Sequence, residues 1–139
     1  MAIKQLNPYL FFNGDAGEAI KLYERVLGAT VQSIQRYGDI PGNTPKPENK
    51  DRVIHAMLAI GPAIVMISDE TADSTVSKTT NVHVCMDFDD AADQAAKFEG
   101  LAQSGTVTMA LHDTFWGARF GTLVDRYGIH WMFNCEKKS

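Results

Sequence analysis

The feature that most constrains this chain is an internal repeat. The segment DAGEAIKLYE at 15–24 resembles DAADQAAKFE at 90–99, with the first acidic residue, the following alanine and the closing aromatic–Glu pair in register. The two segments are 75 residues apart in a chain of 139 residues. A repeat on this scale predicts one structural unit used twice.

The first copy lies in a predicted helix from about residue 15 to residue 27. Its apolar residues recur at spacings of three and four and form a single stripe: Ala16, Ala19, Ile20, Tyr23, Val26 and Leu27. Asp15 and Glu18 have the spacing of a capping box, and Gly28 is typical of a residue that ends a helix. This segment is the clearest local signal in the chain.

Each repeated segment follows one predicted strand and precedes three more. The predicted strands span 6–12, 29–37, 53–60 and 63–68 in the first half and 81–88, 106–111, 118–124 and 129–135 in the second. The sequence therefore predicts a single α+β domain over residues 1–139. It consists of two tandem βαβββ modules, at about 1–72 and 80–137.

A βαβββ module covers one face of its sheet with its own helix and leaves the other face open. Two such modules are expected to bury their open faces together, which predicts a curved mixed β-sheet trough with the helices outside. Small ligands bind preferentially in concave sites. We therefore expect any functional site to lie in this trough.

Composition narrows the classes of partner. The chain is 45% hydrophobic and 22% charged, with a formal net charge of -4, which disfavours broad electrostatic binding to nucleic acid or anionic lipid. We find no apolar run of membrane-spanning length and no signal-peptide pattern, so a cytoplasmic location is expected. Cys85 and Cys135 stand alone, which favours two reduced, packed thiols.

Strand alternation predicts which side chains face the trough. Along the fifth strand Val84, Met86 and Phe88 form the apolar set beneath the helix, so His83, Cys85 and Asp87 are expected on the opposite face. The same alternation along the other strands adds the candidate ligand-binding residues His55, Met57, Met66 and Met132. Two aromatic residues complete the candidates: Tyr9 on the first strand and Trp116 in a connection between strands.

Each candidate also has a purely structural interpretation. His83 is either a hydrogen-bonded strand histidine or a catalytic base, and His55 and His130 are more typical of structural or rim positions. The methionines fill cores as readily as they line adaptable binding surfaces. Trp116 either anchors a corner of the module or stacks on a flat ligand. Residues Asp125 and Gly128 predict a turn between the last two strands.

The chain resembles a known family over nearly its whole length. The opening NPYLFFNGDAGEAIKLYERVLGA and the closing TFWGARFGTLVDRYGIHWMFN are similar to the vicinal oxygen chelate superfamily, which includes glyoxalase, bleomycin-resistance and extradiol dioxygenase proteins. The pattern of Phe115-Trp116-Gly117, Phe120-Gly121, Asp125, Gly128 and Trp131-Met132 resembles its PhnB-like branch. The resemblance implies the glyoxalase-like fold predicted above.

For the enzymes of that superfamily, the resemblance implies a divalent metal held by four side chains in the trough. The corresponding positions here are Asn7, Met66, His83 and Met132, of which His83 alone is a competent ligand for a divalent metal. We therefore expect no resident cofactor, with a divalent metal as the disfavoured alternative.

Two classes of function follow. In the first, the trough binds a small molecule without a metal; in the second, the protein is a glyoxalase-type lyase or isomerase, or a dioxygenase-like enzyme. That enzyme is either metal-dependent or uses His83 as a general base. The sequence leaves open which class applies. Exposed apolar surface, including the Tyr9 and Phe11 side of the first strand, predicts a homodimer.

Overall fold

The computed structural model describes residues 2–42 and 44–137. The chain divides into two compact units, residues 1–77 and 78–139. Each unit contains a four-stranded mixed sheet and one long helix in the order strand, helix, three strands. The predicted α+β class and the two βαβββ modules are confirmed. No helix in the described part of the chain is long and apolar enough to cross a membrane.

Module 1 is the first of these units. Its elements are β1 (Tyr9–Phe12), α1 (Ala16–Leu27), β2 (Thr30–Arg36), β3 (Val53–Ile60) and β4 (Ala63–Asp69). The strand order is β1-β4-β3-β2, in which β1 runs parallel to β4 and the other pairs are antiparallel. The helix therefore serves as the crossover that lets β1 and β4 run parallel.

Module 2 repeats this topology. Its elements are β5 (Val84–Phe88), α2 (Ala91–Ala102), β6 (Thr106–Asp113), β7 (Ala118–Val124) and β8 (His130–Glu136), in the sheet order β5-β8-β7-β6. Both ends of α2 lie 75 residues beyond the corresponding ends of α1. The repeat seen in the sequence thus corresponds to equivalent helices.

Two strands begin three residues later than the sequence predicts, and for β1 the difference has a local cause. Strand β1 begins at Tyr9 rather than at residue 6, because Pro8 has no N–H to donate to a sheet; its carbonyl still accepts a bond from the N–H of Met66. Strand β5 begins at Val84 rather than at residue 81. His83 therefore precedes the strand instead of lying within it.

Each helix packs its apolar stripe on one face of its own sheet. In module 1 the buried side of α1, including Ile20 and Tyr23, covers the face that carries Leu58 and Ile67. In module 2 the ring of Phe98 from α2 meets Phe133 of β8 edge to face, with centroids 5.0 Å apart. The remaining face of each sheet receives no cover from its own helix.

The start of α1 is held by a different residue from the one predicted. Asp15 makes no side-chain capping bond, so the predicted capping box is wrong. Instead Oδ1 of Asp69, at the end of β4, accepts bonds from the N–H groups of Gly14 and Ala16 at 2.8 and 3.0 Å. Its Oδ2 accepts from the N–H of Val53 at 2.9 Å. The predicted Gly28 stop is present in the left-handed conformation, with φ 71°.

A second buried carboxylate organises module 2. Oδ1 of Asp125 accepts bonds from the N–H groups of Tyr127 and Ile129, and Oδ2 accepts from the indole N–H of Trp131 at 2.9 Å. Gly128 completes this turn with φ 91°, a conformation that glycine adopts without strain. The predicted turn between the last two strands is therefore present, and it also anchors the largest buried side chain of the module.

We expect Asp69→Asn to lower the free energy of unfolding by about 2–4 kcal/mol, because the new amide N–H₂ group faces a backbone N–H donor in a buried site. The substitution keeps the size of the side chain, so a cavity does not contribute. Urea denaturation followed by circular dichroism measures the effect.

The matched control is Asp39→Asn, because Asp39 accepts a backbone bond from the N–H of Arg36 in an exposed position. We expect the control to cost less than about 1 kcal/mol. Equal losses for the two variants would contradict a special role for Asp69.

Candidate functional site

The open face of the module 1 sheet carries a row of apolar and thioether side chains. Tyr9, Met66 and Met57 are neighbours in register across β1, β4 and β3. Burial alternates along β3, where Ala56 and Leu58 are buried and His55 and Met57 are partly exposed. Four of the predicted ligand-binding residues, Tyr9, His55, Met57 and Met66, thus share one face.

An aromatic pair and a hydrogen bond give this row its geometry. The rings of Tyr9 and Phe11 are stacked with centroids 4.8 Å apart and planes 9° apart. The Tyr9 hydroxyl lies 3.0 Å from Nδ1 of His55. Tyr9 and Phe11 remain 39% and 43% exposed, so the face presents unburied aromatic surface beside one polar pair. We call Tyr9, Phe11 and His55 the aromatic platform.

The open face of the module 2 sheet is more polar. Asp87, Asn134 and Phe120 are neighbours in register across β5, β8 and β7. The side-chain amide of Asn134 donates to Oδ1 of Asp87 at 3.0 Å. In the adjacent row Cys85 pairs in register with Met132, which pairs with Thr122. Cys85, Asp87 and Met132, all predicted site residues, therefore lie on one face.

Trp116 extends this row from the turn between β6 and β7. Its indole is 55% exposed and meets the ring of Phe120 at a tilt, with centroids 5.8 Å apart. Phe120 in turn pairs in register with Asn134, the partner of Asp87. The structure thus connects Trp116 to the polar end of the open face through Phe120.

His83 lies apart from Asp87, with which the sequence grouped it. Its Nε2 is 2.8 Å from the carbonyl oxygen of Thr80, and its ring stacks on that of His130 with centroids 4.7 Å apart. Because a carbonyl oxygen only accepts, Nε2 carries the proton, and the lone pair of the neutral ring is on Nδ1. The structure thus places this candidate base beside a second imidazole.

Phe120 and Thr122 were not predicted as site residues. Both lie on the open face of β7, where Gly121 and Leu123 take the buried positions. The hydroxyl of Thr122 lies 2.6 Å from that of Thr108 on β6. The alternation that identified the candidates on β5 and β8 is also present in the sequence ARFGTLV and could have identified these two.

The donor set does not fit the divalent metal that the family resemblance implies. Two of the four corresponding positions carry thioethers, from Met66 and Met132, and a third carries the amide of Asn7. Hard and borderline divalent metals prefer carboxylate oxygen and imidazole nitrogen. Across residues 2–42 and 44–137, no three His, Cys, Asp or Glu side chains group closely enough to hold an ion.

The two cysteines differ in environment. Cys135 is buried, whereas Cys85 is exposed on the open face of β5, so the prediction of two packed thiols is wrong for Cys85. Partial burial of its sulfur raises the pKa of the Cys85 thiol, and the negative charge of Asp87 raises that pKa further. The group therefore remains a protonated thiol at neutral pH, a poor nucleophile.

We expect Asp87→Asn to accelerate the alkylation of Cys85 by iodoacetamide at pH 7.5 by about two- to fivefold, because removing the carboxylate lowers the pKa of the thiol. Mass spectrometry of the peptide that contains Cys85 gives the rate. Asp113→Asn is the control, since Asp113 forms its ion pair with Lys137. Equal rates in the wild type and Asp87→Asn would refute the electrostatic contribution.

Comparison with known proteins identifies the family. The model of the glyoxalase/bleomycin resistance protein/dioxygenase superfamily matches residues 5–133. Protein YjdN of Escherichia coli is 30% identical over 96% of both chains. The crystal structure of protein PA1353 from Pseudomonas aeruginosa is 35% identical, with a TM-score of 0.88 over 98% of this chain and 100% of that one. The PhnB protein of Bacillus cereus is 26% identical, with a TM-score of 0.80 over 95% of this chain and 99% of that chain. This chain therefore belongs to the glyoxalase/bleomycin resistance protein/dioxygenase superfamily.

Proposed function

We propose that this PhnB-like protein binds a small flat molecule with an aromatic or apolar body against the open face of its module 1 sheet, without a metal. The observation that carries the proposal is the aromatic platform. Its two stacked rings stay about two-fifths exposed, and Tyr9 lies in register with Met66, which in turn pairs with Met57. Exposed apolar surface of this kind is typical of a surface that buries itself against a ligand or partner.

The geometry of the platform favours a flat ligand. The rings of Tyr9 and Phe11 are nearly parallel and stacked on each other. A third, flat ring can pack against this pair in an offset or tilted arrangement. The flexible, polarisable side chains of Met57 and Met66 can adjust to the outline of such a ligand. The polar pair of Tyr9 and His55 supplies a hydrogen-bonding group at the edge.

Module 2 contributes candidate orienting groups of its own. Oδ1 of Asp87 is engaged by Asn134, which fixes the direction of the carboxylate and leaves it further lone pairs for a ligand donor. The partly exposed indole of Trp116 offers another ring for stacking. We include Cys85 and Met132 as lining groups between these features.

A cytoplasmic location and an assembly into homodimers are parts of the same proposal. The exposed rings of Tyr9 and Phe11 would form an adhesive patch on an isolated chain. Closed two-fold pairing is the commonest way in which proteins cover such a patch. Ligand binding and dimer formation are then coupled, because both bury the same face.

The second candidate function is catalysis with His83 as a general base. It is favoured by one observation: Nε2 of His83 is directed at the carbonyl of Thr80, which leaves the Nδ1 lone pair to accept a proton. A glyoxalase-type or dioxygenase-like reaction that needs a metal is less compatible with the thioethers at two of the four corresponding positions. Metal content therefore separates a metal-dependent enzyme from the proposed metal-free binding, and loss of turnover in His83→Ala would identify His83 as a general base.

Naphthol is a suitable fluorescent probe for the binding function, because it combines a flat ring system with one hydroxyl group. We expect saturable binding, and a three- to tenfold (about 0.5–1.5 kcal/mol) weaker affinity in Phe11→Ala, because one stacking partner is lost. Ile34→Ala is the control, since Ile34 is 40% exposed but pairs in register with the buried Ala56, on the sheet face opposite the platform. Unchanged affinity in a correctly folded Phe11→Ala protein would contradict the proposed site.

Light scattering at micromolar concentration measures the assembly. We expect a mass of about twice the 15.3 kDa of one chain, because pairing covers the exposed rings. The variant Phe11→Lys, which places a charge in the patch, is expected to shift the mass toward that of one chain. A mass near 15.3 kDa for the wild type would contradict the dimer.

A further inference from the structure

Module 2 contains a cavity that is separate from the aromatic platform. Its volume is about 310 Å³, and it lies where β6 and β8 begin and β7 ends. The loop after α2, the turn that Asp125 organises and the segment that precedes β5 complete its walls. A volume of this size admits a small polar molecule.

The lining is dominated by hydrogen-bond donors. The lining includes two cationic residues, Lys78 from the segment before β5 and Arg126 from the turn after β7. Four residues with hydroxyl groups accompany them. The imidazole of His130 adds a further donor. The hydroxyl groups are those of Thr79, Thr80, Ser104 and Thr106.

Asp125 is the acidic residue of the lining, but its carboxylate is turned inward. The residue is 4% exposed, and its two oxygens accept bonds from two backbone N–H groups and from the indole of Trp131. These three neutral donors stabilise the carboxylate, whose oxygens are thereby occupied within the protein, while its formal charge remains. The cavity therefore presents the positive charges of Lys78 and Arg126.

Both cations are available for a ligand. Within the described part of the chain, no carboxylate forms an ion pair with Lys78 or Arg126, whereas Lys97 pairs with Asp93 and Lys137 with Asp113. The guanidinium carbon of Arg126 lies 5.8 Å from the centre of the Tyr127 ring. Such a contact orients a guanidinium group without consuming its donors.

The methylene groups of Lys78 are packed at the site. A Cβ added to Gly128 would lie 3.3 Å from Cδ and Cε of Lys78, so the lysine stem passes over this glycine. Glycine at position 128 thus allows the positive φ of the turn and also leaves space for the side chain of Lys78. The ammonium group is held near the cavity by this packing.

We propose that this cavity binds the phosphate group of a small molecule, either as inorganic phosphate or as a phosphate monoester. A phosphate dianion has several acceptor oxygens pointing in different directions, and the cavity supplies two positive charges and several hydroxyl donors around one space. A carboxylate has fewer acceptor positions and a single negative charge, so it can pair with fewer of these donors and is expected to bind more weakly. The site goes beyond the proposed function, because it shares no residue with the aromatic platform.

Calorimetric titration with sodium phosphate at pH 8, at constant ionic strength, tests the proposal. We expect saturable binding that sodium chloride does not reproduce, and affinity for acetate at least about tenfold weaker. Glycerol phosphate, titrated in parallel, separates the two sources: tighter binding than inorganic phosphate identifies the monoester, and the reverse identifies the free ion. Heats equal to those of the chloride titration, or equal affinities for phosphate and acetate, would overturn the proposal.

Variants locate the site. Lys78→Met keeps the stem over Gly128 and removes the charge, and Arg126→Met removes the second charge; each is expected to weaken phosphate binding about tenfold. Lys97→Met removes the same charge from an ion pair on α2 and is expected to leave the affinity unchanged. Melting curves without phosphate verify that each variant is folded. Wild-type affinity in both Lys78→Met and Arg126→Met would refute the assignment.

Discussion

The buried carboxylate of Asp69 is the interaction on which module 1 depends. It satisfies N–H groups at the entry to α1 and at the start of β3 from a residue at the end of β4. An unsatisfied backbone N–H in such a site is costly, so the three segments are fixed relative to one another by one side chain. The orientation of α1, and hence which sheet face stays open, follows from this arrangement.

Module 2 reaches the same topology with a different anchor. Asp125 fixes the turn between β7 and β8 and holds the indole of Trp131, while Asp90 caps α2 through a bond to the N–H of Ala92. Burial of Trp131 and Phe133 on the helix side leaves Met132 and Asn134 on the open side. The alternation along one strand thus separates the core of the module from its candidate binding face.

Much of this could be predicted from residues near one another in sequence. The stripe on α1, its end at Gly28 and the faces of β3, β5 and β8 depend on local spacing, and the predictions for them agree with the structure. The role of Asp69 could not be found in this way, because its partners Ala16 and Val53 are 53 and 16 residues away. The stacking of His83 on His130 joins the segment before β5 to the start of β8, 47 residues apart in sequence, in a pairing that local spacing does not reveal. The cavity at Lys78 and Arg126 likewise depends on segments that only the fold brings together.

Two of the four positions that the family resemblance assigns to metal ligands carry thioethers here, from Met66 and Met132. A thioether is a poor ligand for a hard divalent metal, but it adds apolar, adaptable surface to the sheet. The aromatic platform in module 1 and the Asp87–Asn134 pair in module 2 then supply stacking and orientation. These groups are the basis on which we propose the binding of an organic ligand without a metal.

Elemental analysis of protein purified without chelators, combined with naphthol binding before and after treatment with EDTA, tests metal-independent binding most directly. We expect far less than one divalent metal per chain and the same naphthol affinity after treatment. One metal per chain, lost together with binding after EDTA treatment and absent from His83→Ala, would contradict it.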